Sequence, residues 1–214
     1  MFIQDLKYRQ TRQGSEVSMV TDDNEVIALD AEVVVRFRLA RGIQISEAQL
    51  LEIRRENEIL MAKRKLVRYL SLRKKSKKDA ALYLKKAGFS EEAIQEAIQK
   101  ASELSYLDDQ DFAESFVRMR SSSGKKGPNY VTKELLAKGL SRDMIKSVVA
   151  EMSNPETQLE NARRQAAIKY QTLKGEADLI KAARKLTNFL ARRGFDPEVC
   201  DRVAREFFGD PTQF

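Results

Sequence analysis

The sequence predicts a mainly α-helical protein in which three tandem three-helix repeats form an elongated array after a small β-rich N-terminal extension. A phrase of Leu-x-x-x-Gly, an apolar residue, and Ser or Asp occurs three times, around Gly88, Gly139 and Gly194. A spacing of about 50 residues indicates tandem supersecondary units, each packed mainly on its neighbours. β-Branched and turn-forming residues concentrate in the first forty residues, which indicates short strands there.

The extension predicts a small antiparallel meander. Its strand-like stretches are Ile3–Tyr8, Glu16–Val20 and Glu25–Leu29, and the turn-forming residues between them are Gln13-Gly14 and Thr21–Asn24. Such residues favour tight turns because glycine adopts positive φ and Asn or Asp bonds its own backbone.

A short helix and a longer one follow the meander. Asp30 is placed to cap a helix that ends at Arg41-Gly42, although the β-branched run 32–37 also fits a strand. Ser46 and Gln49 have the spacing of a capping box, which predicts the start of a further helix.

From about residue 57 the pattern is helical throughout. Each recurring phrase predicts a helix end, a left-handed glycine and an oxygen that caps the next helix. Apolar residues then recur at two registers: Ile94, Ile145 and Cys200, and Ala97, Val148 and Val203. In the third repeat, Gly175 divides two longer helices. The predicted divisions are 1–56 for the extension, 57–107, 108–153 and 154–209 for the repeats, and 210–214 for a tail.

Composition argues against an enzyme. The chain has no histidine, which removes the commonest general base and metal ligand. Its single cysteine, Cys200, cannot form an internal disulfide and lies at a core register. No glycine-rich phosphate-binding or nucleophile motif occurs. We therefore expect no catalytic residue, cofactor or metal. No apolar stretch is long enough for a membrane span and the N-terminus lacks a signal-peptide core, so we expect a cytoplasmic protein without membrane contact.

The segment Ser105–Ala113 joins the first two repeats and carries three neighbouring carboxylates, Asp108, Asp109 and Asp111. We interpret Asp108 or Asp109 as a helix cap, with Tyr106 and Leu107 packed into the seam between repeats. Cation binding is the alternative, but the spacing lacks the glycine and distant Glu of a calcium loop.

The charge distribution indicates an anionic partner. The net charge is +7, and residues 57–108 contribute 12 basic against 7 acidic groups. Lys125 and Lys126 precede Gly127-Pro128 at a predicted helix start, where free backbone N–H groups and two cations suggest a phosphate seat. Arg118, Arg120 and Lys133 lie nearby in sequence. The alternative is a solvated loop.

The densest basic run lies at the equivalent place in the first repeat. It contains Lys74, Lys75, Lys77 and Lys78. Basic groups that recur at the structural period predict a stripe along one face, as an extended polyanion requires. The third repeat has only Lys174 in the corresponding loop, so the stripe is incomplete, and a solvated face remains the alternative.

These residues resemble the RecX family, the regulators of the RecA recombinase. Tyr106-Leu107-Asp108-Asp109-x-x-Phe112-Ala113 is similar to the family's Tyr-Leu-Asp-Asp-x-x-Phe-Ala, and Lys126-Gly127-Pro128, Glu134-Leu135 and Lys138-Gly139-Leu140 resemble its Lys-Gly-Pro…Glu-Leu…Lys-Gly-Ile signature. Two departures are Ser105, where the family commonly has Gly, and Asn129-Tyr130, where it often has basic residues.

The resemblance implies a non-enzymatic protein that binds in the groove of the RecA–DNA filament. There it would suppress ATP hydrolysis and strand exchange, promote filament disassembly or capping, and so modulate DNA repair and the SOS response. It also implies weaker, electrostatic contacts with single- and double-stranded DNA. We expect a monomer. The residues alone leave two alternatives open: a general DNA-binding or architectural protein, and a helical scaffold whose basic face is incidental.

Overall fold

The computed structural model describes residues 1–11 and 14–209 and confirms a mostly helical protein with a three-stranded antiparallel sheet at its N-terminus. The chain divides into two compact units, the first covering Met1–Leu107 and the second beginning at Asp108. The predicted turn residue Gln13 and the tail at 210–214 lie outside the described residues. Within the described part, no helix has both the length and the apolar character that a membrane crossing requires. The cytoplasmic location stays a prediction.

The sheet is the predicted meander, with strands β1 (Ile3–Thr11), β2 (Gly14–Thr21) and β3 (Val26–Asp30) in the order β1-β2-β3. Both strand pairs are antiparallel, and β2 pairs with β3 from Glu16↔Asp30 to Val20↔Val26. Alternate residues point to one face of a strand, and on that face Val17, Met19 and Leu29 are fully or almost fully buried.

The first helix, α1 (Ala31–Arg36), begins where expected but ends earlier. Asp30 caps it by accepting the Glu32 N–H at 2.9 Å, and the alternative strand over 32–37 is absent. The predicted end at Arg41-Gly42 is wrong. Arg38 has φ +51°, and the Leu39 N–H donates to the Val34 carbonyl at 2.9 Å. This left-handed closure ends the helix without a glycine.

Helix α2 (Glu47–Leu70) carries the chain from the sheet into the first repeat. The expected capping box of Ser46 and Gln49 opens it. The predicted boundary at residue 56 falls inside this helix, because its first half packs against the sheet and its second half against α3 (Lys77–Lys86) and α4 (Glu91–Glu103). The extension and the first repeat therefore share one helix. The other predicted boundaries stay predictions.

The second unit contains two successive sets of three helices. Its elements are α5 (Asp109–Ser123), α6 (Pro128–Ala137), α7 (Arg142–Val149), a 3₁₀ turn (Glu151–Ser153), α8 (Pro155–Tyr170), α9 (Leu179–Arg192) and α10 (Pro197–Phe208). Gly175 lies between α8 and α9, as predicted.

The recurring phrase folds as the same helix closure in every repeat. Gly88, Gly139 and Gly194 have φ of +89°, +87° and +84°, values that side chains rarely adopt. In each case the following residue donates its N–H to the carbonyl of the leucine five positions before it, at 3.3–3.4 Å. Those three leucines, Leu84, Leu135 and Leu190, are completely buried. The turn therefore fixes a core residue and the exit direction of the chain together.

The residues after these turns differ in what they bind. Ser90 and Ser141 cap the next helices, accepting the N–H groups of Ala93 and Met144 at 3.3 Å. Asp196 occupies the predicted N-cap position of α10, but the predicted side-chain capping bond is wrong, since its carboxylate makes no hydrogen bond to that helix. It accepts hydrogen bonds from side chains of other helices instead.

Cys200 occupies the core register assigned to it. The side chain is completely buried, like Val203 beside it, and Ile94 and Ile145 are 2% exposed at the equivalent positions. Burial, assisted by Asp201 and Asp196, raises the pKa of the Cys200 thiol to about 11. The thiol is therefore protonated at neutral pH and serves as a small core group.

Ser105 also closes a helix in the left-handed conformation. Its φ is +56°, and the Tyr106 N–H donates to the Ala101 carbonyl at 2.8 Å. This is the position where the resembling family commonly has glycine. A side chain in this conformation costs roughly 1–2 kcal/mol.

We predict that Ser105→Gly raises the free energy of unfolding of the first unit by about 1 kcal/mol, because it removes this strain from an exposed side chain. Gly88→Ala is the matched reverse change, since a Cβ at Gly88 would meet nothing within 4 Å while φ stays positive. It should lower stability by about 1 kcal/mol. Urea unfolding measures both. A destabilised Ser105→Gly variant would contradict the prediction.

Candidate nucleic-acid and partner interface

The acidic segment between α4 and α5 supplies the N-cap of α5, as predicted. The Asp108 carboxylate accepts the N–H groups of Gln110 and Asp111 at 2.8 and 3.2 Å. Leu107 is buried and Tyr106 is 60% exposed, and the packing of these two residues into a seam between the first two repeats stays a prediction. No group of three potential metal ligands forms among the described residues.

The backbone at the start of α6 is already occupied, so the predicted phosphate seat is wrong in this part. The Gly127 N–H donates to the Arg193 carbonyl at 2.8 Å, and the Asn129 N–H donates to the Gly194 carbonyl at 3.0 Å. These carbonyls end α9 and carry the negative end of its dipole, which faces the positive start of α6. The N–H groups expected to meet phosphate therefore hold the second and third repeats together.

Glycine is required on both sides of this contact. A Cβ at Gly127 would lie 2.3 Å from the Gly194 oxygen, and a Cβ at Gly194 would lie 2.2 Å from the Tyr130 nitrogen. The contact is hereafter called the repeat joint, and it also includes Asn129, Gln158 and Asp196.

Asp196 is the hub of the joint's side chains. Its carboxylate accepts hydrogen bonds from Asn129 Nδ2 at 2.7 Å and from Gln158 Nε2 at 2.6 Å. Its own N–H donates to Gln158 Oε1 at 3.1 Å. Gln158 is only 2% exposed, and these bonds satisfy both ends of its amide.

The five predicted basic residues of the second repeat fall into two groups. Arg120 donates to Glu134 at 2.6 Å, with its guanidinium 4.9 Å from the Phe116 ring centroid. Lys126 lies over the Tyr130 ring at 3.6 Å. By contrast, the side chains of Arg118, Lys125 and Lys133 are exposed and form no ion pair with the described residues.

The side chains of Arg118 and Arg120 do not lie on the same face of α5, so they cannot both contact one flat partner surface. Residues two apart on a helix do not face the same way. Arg120 lies between α5 and α6, while Arg118 points to solvent. The second repeat therefore retains three exposed cations of the predicted five. Hereafter Arg118, Lys125 and Lys133 are the open cations.

The basic run of the first repeat divides in the same way. Lys75 is only 8% exposed, and its ammonium lies 4.4 Å from the ring centroid of Tyr69, which stacks on Tyr83 at 3.9 Å. Lys74, Lys77 and Lys78 have exposed side chains. Lys75 thus contributes to packing, and three of the four predicted lysines face solvent.

The second repeat has two further exposed cations that the sequence analysis did not predict as site residues. Arg142 and Lys146 lie one turn apart on α7, and they form no ion pair with the described residues. Their four-residue spacing on a helix was the signal that could have revealed them.

The fold defines a class of protein built from consecutive three-helix domains. Residues 108–149 match the model of "RecX, second three-helix domain", and residues 156–204 match that of "RecX, third three-helix domain". The Regulatory protein RecX of Listeria welshimeri is 31% identical over 197 residues, which are 92% of this chain and 72% of that protein. The Geobacillus protein of the same name is 32% identical over 87% of this chain and 69% of its own length. The chain belongs to the RecX family.

Solved structures agree on the fold. A crystal structure of regulatory protein RecX superimposes with a TM-score of 0.73 at 22% identity, covering 94% of this chain and 98% of that one. RecX from Lactobacillus salivarius gives 0.62 at 22% identity, covering 71% and 97%.

We predict that Gly127→Ala and Gly194→Ala each lower the free energy of unfolding of the second unit by about 3 kcal/mol, because the added methyl group meets backbone atoms that cannot move aside. Gly175→Ala is the control in the same unit, since a Cβ there meets nothing within 4 Å. Urea unfolding of the three variants tests this.

The joint also predicts slow amide exchange in the wild-type protein. The N–H groups of Gly127 and Asn129 should be protected, and inorganic phosphate should not shift their NMR signals. A specific shift with phosphate would restore the phosphate seat and contradict our interpretation.

We predict that Arg120→Met lowers the free energy of unfolding by roughly 1–2 kcal/mol, because Glu134 Oε2 is already buried without a partner and would then lose its cation. The partial exposure of the pair, 33% and 25%, keeps the loss moderate. Arg118→Met is the control and should change stability by less than about 0.5 kcal/mol. Equal losses in the two variants would contradict a structural role special to Arg120.

Proposed function

We propose that this protein is a non-enzymatic regulator of the RecA recombinase. It binds in the helical groove of RecA–DNA filaments, suppresses ATP hydrolysis and strand exchange, and thereby modulates DNA repair and the SOS response. It acts as a monomer, and its contacts with single- or double-stranded DNA are weaker and electrostatic.

Family membership supports this proposal, because the relatives carry the name Regulatory protein RecX over most of the chain. The single structural observation that carries it is the set of open cations. Each presents a positive charge to solvent without a carboxylate partner among the described residues. Such charges are available to an anionic surface, whereas Arg120, Lys126 and Lys75 are engaged in packing.

The strength of these contacts bounds the role of DNA. The three open cations alone neutralise about three phosphates, which gives a salt slope near −2 on a single strand. That is too small to hold a protein tightly on naked DNA at physiological salt, where non-specific binding is typically micromolar or weaker. We expect contacts with the RecA protein to add to these charge contacts, to which the exposed Lys74, Lys77 and Lys78 of the first repeat also contribute.

The alternative is a general DNA-binding or architectural protein. The net charge of +7 favours it, and it requires no protein partner. This alternative differs from the filament regulator in one respect, because a general DNA-binding protein would affect RecA only by covering the DNA.

The deciding experiment is a titration of RecA ATPase activity on single-stranded DNA at about 150 mM salt. A filament regulator should inhibit at well below one molecule per RecA subunit, before the DNA is covered. Inhibition that begins only when the DNA is saturated would favour the general DNA-binding protein. No inhibition at any ratio would contradict an effect on RecA altogether, whether it arises by binding the filament or by covering the DNA.

Reversing the three open cations, in Arg118→Glu/Lys125→Glu/Lys133→Glu, should raise the concentration for half-inhibition about tenfold. Three exposed contacts of roughly 0.5 kcal/mol each amount to one power of ten in affinity. Arg184→Glu/Arg192→Glu/Arg205→Glu makes the same charge change on α9 and α10 and should have little effect. Equal losses in the two variants would mean that net charge alone matters.

A further inference from the structure

A groove opens between α6 and α7 of the second repeat. Its volume is about 410 Å³, and it is lined by Leu136 on α6 and by Arg142, Ile145, Lys146 and Val149 on α7, among others. The α7 residues follow the spacing i, i+3, i+4, i+7, so all four lie on one helix face. The groove belongs wholly to the second unit and lies apart from the repeat joint.

The floor and the rim of the groove differ in chemistry. Ile145 and Val149 are 2% and 4% exposed and form an apolar floor, while Leu136 is 40% exposed at the edge. Arg142 and Lys146 are exposed and have no ion pair among the described residues. The groove thus places one exposed apolar side chain and a nearly buried apolar floor beside two cations that have no ion-pair partner among the described residues.

We infer that this α6–α7 groove binds a short acidic segment of the RecA protein that carries an apolar side chain next to one or two carboxylates. This inference rests on the proposed function and deepens it, since it assigns the protein contact that the open cations cannot supply. The apolar side chain covers Leu136 and the floor, and the carboxylates pair with Arg142 and Lys146.

Charge and polarity select this occupant over nucleic acid. A duplex phosphate backbone would pair with Arg142 and Lys146 but would leave the apolar floor against a charged, hydrated chain. A single strand also offers bases, but among the described residues the groove has no aromatic side chain in its lining on which a base could stack. A purely apolar segment would cover the floor but leave two cations without partners. A segment with both groups satisfies floor and rim together, in the way that amphipathic segments bind grooves.

The experiment measures binding of N-terminally labelled protein to RecA filaments on single-stranded DNA, and separately to the same DNA without RecA. Leu136→Ser removes the apolar edge, and Arg142→Glu/Lys146→Glu reverses the rim. Leu179→Ser and Arg184→Glu/Arg192→Glu are the controls, because Leu179 is 42% exposed in the same unit and the paired arginines give the same charge change. Thermal unfolding verifies that each variant is folded.

We expect Leu136→Ser and the rim reversal each to raise the Kd for the filament at least about tenfold, as central contacts do. The controls should stay near wild type, and Leu136→Ser should bind naked DNA as before. Unchanged filament binding by Leu136→Ser overturns the inference and leaves the proposed function standing. The inference is also overturned if the rim reversal weakens binding to naked DNA and to the filament equally while Leu136→Ser has no effect. The groove would then bind phosphate. If the wild-type protein does not bind filaments, the proposed function fails, and this inference fails with it.

Discussion

The structure depends on one backbone constraint, the left-handed residue that closes the second helix of every repeat. At Gly88, Gly139 and Gly194 the chain reverses with φ between +84° and +89°. The same turn places a completely buried leucine in the core and sets the start of the next helix. Because a side chain in this conformation costs roughly 1–2 kcal/mol, the phrase recurs in the sequence at the period of the fold.

In the third repeat this closure has a second task. The carbonyls of Arg193 and Gly194 accept the N–H groups that open α6, and Asp196 binds Asn129 and Gln158 in place of capping its own helix. The turn thereby joins one repeat to the previous one. The Lys-Gly-Pro segment, which resembles a phosphate-binding helix start when read alone, lies on the side of this joint that donates the backbone N–H groups. Its glycine is needed for close approach of two backbones.

This arrangement determines which charges are available to a partner. Arg120, Lys126 and Lys75 lie against Phe116, Tyr130 and Tyr69, where their positive charge stabilises packing at a helix boundary. Arg118, Lys125 and Lys133, and on α7 Arg142 and Lys146, remain exposed. The basic character of the protein is thus divided between internal structure and external contact, and only the second part can contribute to binding an anionic surface.

The sequence by itself determined the fold class, the three helix closures, the caps at Asp30, Ser46, Ser90, Ser141 and Asp108, the core place of Cys200 and the family. The closures and the caps depend on residues within about six positions of one another, where conformational preference and hydrogen-bond chemistry are local. The fold class, the place of Cys200 and the family follow from the recurrence and order of such local patterns along the chain. Only the tertiary structure decided that Asp196 binds Gln158 and Asn129, that the α6 N–H groups are occupied, and that Lys75 is buried. The first two outcomes depend on atoms from distant parts of the chain, 67 positions apart for Asn129 and Asp196. The third depends on the packing of α2 against α3, which stacks Tyr69 on Tyr83 next to the Lys75 ammonium. A local sequence pattern contains no information on which distant carbonyl group will accept a hydrogen bond from a given N–H group.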